Sequence, residues 1–136
     1  MHYKIHAIDV KNALKNYIWL LEDTTTQEVV VIDPTDADLV TAFCEQHQLE
    51  LKQIWLTHWH RDHTDGVQGL LAEQNILVYG PRDELSKISF ISNPLQHNDH
   101  FHFNDLKVEI IATPGHTLGH IVYFIEEIDT LFCGDT

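Results

Sequence analysis

Apolar and polar residues alternate from Tyr3 to Ile8 and predict a first strand. Lys11 to Asn16 is polar and turn-like. The runs Tyr17-Ile18-Trp19-Leu20-Leu21 and Val29-Val30-Val31-Ile32 are too continuously apolar to leave one face in water. Both are expected as buried strands, joined by a turn at Thr24–Gln27. Pro34 ends the second run because it has no N–H to give to a ladder. Asp33 and Asp36, which flank this strand end, read as turn and helix-cap residues. From Asp36 to His47 the spacing predicts a helix with Leu39, Val40, Phe43 and Cys44 on its apolar stripe. His47 falls near its C-terminus, where an imidazole interacts with the helix dipole, and is assigned to no site.

A strand over Gln53–Leu56 comes next, followed by a short helix from Gly66 to Gln74 with Val67, Leu70 and Leu71 inward. Leu77–Tyr79 reads as a strand stopped by Gly80-Pro81. Arg82 to Pro94 has no assignable pattern beyond loop or short helix. In His97–Phe103, His100 and His102 alternate with Phe101 and Phe103, which describes one solvated and one buried strand face. Asn104-Asp105 fits a hairpin turn and Leu106–Ala112 the returning strand. Ile121–Ile125 and Thr130–Cys133 complete the strands, with acidic Glu126-Glu127 between them. The fold class is therefore α/β.

At 136 residues the chain is long enough for one domain with a real core. A net charge of −13 counts against nucleic-acid and anionic-membrane partners, which need a basic face. Bound cations would offset part of that charge. Cys44 and Cys133 are too few for a disulfide framework and sit in apolar surroundings, so both are expected as small core residues. There is no signal-peptide pattern and no apolar run of membrane length, so a cytoplasmic location is expected.

The chemistry is concentrated in Thr57-His58-Trp59-His60-Arg61-Asp62-His63, which follows the apolar Ile54-Trp55-Leu56. Residues two apart in an extended chain point the same way, so His58 and His60 can reach one ion from the same side. A turn at Asp62 and His63 would aim that pair at a neighbouring ion. Two further loops follow apolar strands in the same manner and carry His116 and Asp135. If the three loops meet, His58, His60 and His116 supply three nitrogens to one ion, Asp62 and His63 serve a second, and Asp135 bridges them. Such N/O donors suit zinc, and also iron or manganese. Two ions about 3.5–4 Å apart lower the pKa of a shared water and make a nucleophile near neutral pH, which favours acyl hydrolysis. His120 is expected to orient its loop rather than ligate.

The stretch Thr57–His63 resembles the T-H-x-H-x-D-H motif of the metallo-β-lactamase superfamily. Asn16-Tyr17-Ile18-Trp19-Leu20, Ile32-Asp33-Pro34, Tyr79-Gly80-Pro81, Thr113–His120 and Leu131–Thr136 look specifically like glyoxalase II, the hydroxyacylglutathione hydrolases. That resemblance implies an αβ/βα sandwich. It implies metal ligands His58, His60, Asp62, His63, His116 and Asp135, with Asp62 and Asp135 also serving catalysis, and two divalent ions, zinc foremost. The implied substrates are glutathione thioesters such as S-D-lactoylglutathione. Asp65 departs from the family pattern, where glycine is common, and is expected to be solvated. Relatives also continue past the position of Thr136, with a further histidine ligand, a helical domain and most of the glutathione-binding residues. Residues 1–136 are accordingly expected to be a partial metal-binding domain with the second ion incompletely held. Full-length relatives are monomers, whereas a shortened chain exposes apolar surface and sheet edge that favour self-association or a partner chain. The alternatives are a mononuclear-iron persulfide dioxygenase using His58, His116 and Asp135, a lactamase-like hydrolase, and a non-catalytic metal-binding fragment.

Overall fold

The computed structural model describes residues 2–11, 16–72 and 76–135. Six strands form the first sheet: β1 (Tyr3–Asp9), β2 (Tyr17–Asp23), β3 (Glu28–Ile32), β4 (Glu50–Trp55), β5 (Leu77–Pro81) and β6 (Asn93–Leu95), side by side in chain order. β1 to β3 run antiparallel, and β3 to β6 run parallel. The parallel half needs crossovers, and helix α1 (Ala37–His47) with the short helices α2 (Arg61–Thr64) and α3 (Val67–Leu71) lie in them. A second, wholly antiparallel sheet contains β7 (His100–Phe103), β8 (Leu106–Ala112), β9 (Ile121–Ile125) and β10 (Thr130–Phe132), in the order β10-β9-β8-β7.

The apolar runs explain the layering. On β3, Val29 and Val31 point to the helices, where they meet Val40 and Cys44 of α1 and Val67 and Leu70 of α3. Val30 and Ile32 point the other way, into a core shared with Val108, Ile110, Tyr123 and Phe132 of the second sheet. A strand covered on both faces cannot alternate, which is why its sequence does not. Trp55 stacks on Tyr123 across the two sheets, with ring centroids 5.2 Å apart, and the Tyr123 hydroxyl donates to the Leu56 carbonyl at 2.6 Å. The result is one helical layer and two sheets, three layers of the four that the resemblance implies; among the described residues no α-helix covers the outer face of the second sheet.

Several expectations are corrected. Tyr17 and Trp19 are 49% and 42% exposed, not buried. Ile18 and Leu20 do face the helices, but the apolar core shared with the four-stranded second sheet takes in only Leu21 of β2. Gly80 and Pro81 are the last two residues of β5, which stops at Pro81 rather than at Tyr79. The unassigned 82–94 stretch contains a 3₁₀ turn at Arg82–Glu84 and the start of β6, an edge strand whose position tolerates Pro94. The helix expected from Gly66 is observed as Val67–Leu71, and Gln74 lies outside the described residues, as does most of the Lys11–Asn16 turn. Asp36 caps α1, accepting from the backbone N–H groups of Asp38 and Leu39. His100 and His102 are exposed while Phe103 is buried, as the alternation required.

Candidate metal centre

Four strand ends meet at one rim. β3 delivers Asp33, β4 delivers Thr57 and His58, the loop after β8 carries His116, and the segment after β10 carries Asp135. Leu56, Thr57 and His58 are fully buried, so the first histidine is anchored in the core while His60 and His116 lie nearer solvent. At the far side Gly134 has φ +55, and a Cβ there would fall 2.5 Å from Thr57 Oγ1 and 2.8 Å from His120 Nε2. Glycine is what lets the β10 end approach closely enough to bring Asp135 in.

The donor atoms fall into two adjoining groups. In the first, His58, His60, His116 and Asp135 each place a ligand atom within 4.8 Å of the others. His60 Nδ1 lies 2.8 Å from His116 Nε2, and Asp135 Oδ2 lies 3.0 Å from His116 Nε2 and 3.4 Å from His58 Nε2. In the second group, His63 Nε2 is 3.3 Å from both Asp62 Oδ2 and Asp135 Oδ1. Asp135 thus turns one oxygen to each group. All six residues singled out in the sequence are brought together.

Asp33, read from sequence as a turn residue, is instead a buried organiser of two rings. Its Oδ1 accepts from the Thr57 N–H at 2.9 Å, and its Oδ2 lies 2.7 Å from Thr57 Oγ1 and 2.8 Å from His63 Nδ1. The Thr57 hydroxyl gives its one hydrogen to Asp33 and so accepts from His58 Nδ1–H at 2.8 Å. Both rings are therefore gripped at Nδ1 with Nε2 toward the centre. His58 Nε2 and His63 Nε2 are buried without a hydrogen-bond partner, a costly arrangement unless a cation takes the lone pairs. The residues present fit a metal.

Burial pushes the His58 imidazole down to about 4, against the pull of Asp33, so its lone pair is available at neutral pH. For His63 burial acts in the same direction, but the hydrogen bond and charge of Asp33, with Asp135 and Asp62, prevail and raise it to about 9. A metal there must displace a proton. Asn16 donates to Asp62 Oδ2 at 3.1 Å, and the Thr35 hydroxyl donates to the Asp62 carbonyl at 2.5 Å. Sequence reasoning assigned neither residue to the site.

His120 lies behind the donors, stacked on His58 at 4.7 Å; its Nδ1 meets Thr113 Oγ1 at 2.9 Å and its Nε2 accepts from the Asp135 N–H at 3.3 Å. Cys44 is a core residue whose thiol is pushed up to about 11 by burial. Cys133 is not in the core: it is half-buried and lines a cavity of about 650 Å³ that opens over the donors. Ile5, Tyr17, Trp19 and Leu131 form the apolar wall of that cavity. Asp65 is exposed.

The model of the family described as "Metallo-beta-lactamase superfamily" matches residues 12–136. The chain belongs to that superfamily. Among curated relatives, this superfamily member is 41% identical over 140 residues to the protein named hydroxyacylglutathione hydrolase from Shewanella oneidensis, covering 97% of this chain and 51% of that one. To the protein of the same name from Hahella chejuensis it is 43% identical, covering 89% and 47%. The chain thus spans about half the length of the curated relatives it matches. The BLEG-1 B3 metallo-beta-lactamase shares the fold, with a TM-score of 0.84 at 22% identity over 97% of this chain and 72% of that one. ETHE1 from Myxococcus xanthus has a TM-score of 0.74 at 26% identity, covering 90% and 54%.

Proposed function

We propose that this chain is the metal-binding part of a glyoxalase II-type thioesterase, which hydrolyses glutathione thioesters such as S-D-lactoylglutathione to a 2-hydroxy acid and glutathione. The observation that carries the reading is the double donor set with Asp135 offering one oxygen to each side. The name shared by the curated relatives supports the substrate class. His58, His60, His116 and Asp135 would hold one divalent ion, and Asp62, His63 and Asp135 a second, with zinc best suited to N/O donors of this kind. Bound there, two ions supply a water acidified to near neutral pH and positive charge for the oxyanion formed on attack.

The remaining work falls to the protein. Asp62, fixed by Asn16, stands at the cavity floor, where a carboxylate oxygen accepts a hydrogen bond from the attacking water and orients its lone pair. The wall of Ile5, Tyr17, Trp19 and Leu131 shields the scissile bond from bulk water. No proton donor is required for departure, because a thiol ionises near pKa ~8.5 and leaves as thiolate. A single-iron oxygenase reading is less supported, since it leaves the convergence of Asp62 and His63 on Asp135 without a task.

Two measurements test this. Thiol release from S-D-lactoylglutathione should require zinc, vanish on chelation and fall at least about a hundredfold in H58A or H116A. Oxygen uptake with a persulfide substrate, without thioester cleavage, would sink the proposal. Zinc titration by calorimetry should show a tight first equivalent and a weaker second, because the described residues offer four donors to one group and three to the other. Equal, non-sequential filling would contradict that assignment.

A further inference from the structure

Glu84 lies in the 3₁₀ turn after β5, inside the stretch whose sequence pattern gave no assignment. It is 4% exposed, and among the described residues it has no cationic partner within ion-pair distance. Its two oxygens are instead divided between two backbone amides. Oε1 accepts from the Trp59 N–H at 2.8 Å, and Oε2 accepts from the Gly119 N–H at 2.9 Å. Trp59 stands between His58 and His60, and Gly119 lies between His116 and His120. The two loops belong to different sheets, one following β4 and the other β8. Besides the approach of His60 to His116, the backbone bond from Ile121 N–H to the Thr57 carbonyl, at 3.0 Å, also links them.

We propose that Glu84 is a positioning residue that holds the two histidine-bearing loops in register, so that His116 meets His58 and His60 at one ion. The inference rests on the metal-centre reading above. A carboxylate suits the task because both oxygens accept, and amide bonds to an ionised acceptor are stronger than neutral ones. Glutamine would not substitute: its NH₂ would confront one of the two N–H groups donor to donor. Gly119 is part of the same fit, since a Cβ there would fall 2.5 Å from Glu84 Cγ.

The test compares wild type with E84Q, E84D, G119A, the E84Q/G119A double variant and V108A. Val108 is fully buried between the sheets and serves as a control for loss of stability alone. Zinc affinity is measured by competition with a chromophoric chelator, melting temperature on the metal-free protein, and Trp59 and Gly119 amide exchange by NMR. E84Q should weaken the first zinc equivalent about tenfold or more, in the range known for groups that orient metal ligands, and speed exchange at both amides. E84D should recover part of the affinity. V108A should lower the melting temperature without changing affinity. G119A should reproduce E84Q, and the double variant should lose little beyond either alone, because both act on one contact. Wild-type zinc affinity in E84Q, or a loss no larger than that of V108A, would overturn the proposal. If wild type bound no zinc at all, the metal-centre reading would fall, while unchanged amide exchange in E84Q would separately refute the strut.

Discussion

One carboxylate, Asp33, holds the Nδ1 side of His63 directly and that of His58 through Thr57. Its own backbone has φ +50, a left-handed conformation that costs a non-glycine residue energy and is kept where the surroundings impose it. The pH consequence follows from His63, which sits at about 9 in the fold against an ordinary value of 6.5. A raised imidazole contributes stability that is complete below its unfolded value and is lost as pH rises through the folded one. The melting temperature of the metal-free protein should therefore fall between about pH 7 and about pH 10. In D33N the hydrogen bond and charge that raise His63 are gone, so the fall should be shallower; an equally steep profile would refute the assignment. The convergence of the six candidate ligands was legible in the sequence because four of them crowd into His58–His63, and His116 and Asp135 each follow a glycine in later loops that also come after apolar strands. Asp33 and Glu84 were not, because what distinguishes them is a partner 24 to 35 positions away. Asp33 beside Pro34 has the local chemistry of a turn, and only the β3–β4 pairing reveals that it faces Thr57.

At the scale of elements, what matters is that strands end where the donors begin. β3 and β4 are parallel, with Ile32 beside Trp55, so the residues after each emerge at the same edge. That part was readable, since continuous Val/Ile runs bounded by Pro34 or by the histidine motif leave few alternatives. The short β6 and the exposure of Tyr17 and Trp19 were not, because both depend on how far a neighbouring sheet extends. The β10 end makes the sharpest demand on sequence, through Gly134. G134A would combine positive φ with contacts at 2.5 Å on Thr57 and 2.8 Å on His120. We expect it to cost about 1–3 kcal/mol of stability. It should also weaken zinc binding, because relieving the clash moves Asp135 outward. Chemical denaturation and chelator competition check the two effects, and a G134A variant with unchanged zinc affinity would show that Asp135 does not depend on the close approach.

Over the whole molecule, the candidate metal centre is one of the places where the two sheets are joined by side chains that carry charge; another is the β7–β8 turn, where Asn104 donates to Asp23 of β2 and Glu28 of β3. Asp33, His58, His60 and His63 belong to connections of the first sheet, and His116 and Asp135 to those of the second. The rest of the sheet-to-sheet contact is mainly the apolar core around Trp55 and Tyr123. An ion gripped by both sets would act as a clamp across that interface, and with a net charge of −13 it would also relieve like-charge repulsion. Zinc at about a hundredfold over its Kd should stabilise the folded state by about 2.7 kcal/mol, which for a domain of this size raises the melting temperature on the order of 10 °C. The increment should vanish in H116A, which removes the second sheet's imidazole from the clamp. It should persist in H102A, whose exposed histidine lies on β7 away from the donors. Amide exchange locates the effect: zinc should slow exchange at Ile121, whose N–H bonds to the Thr57 carbonyl across the interface, more than at Val108 within the second sheet. A uniform slowing at both amides would mean that the ion stabilises the fold without clamping the sheets.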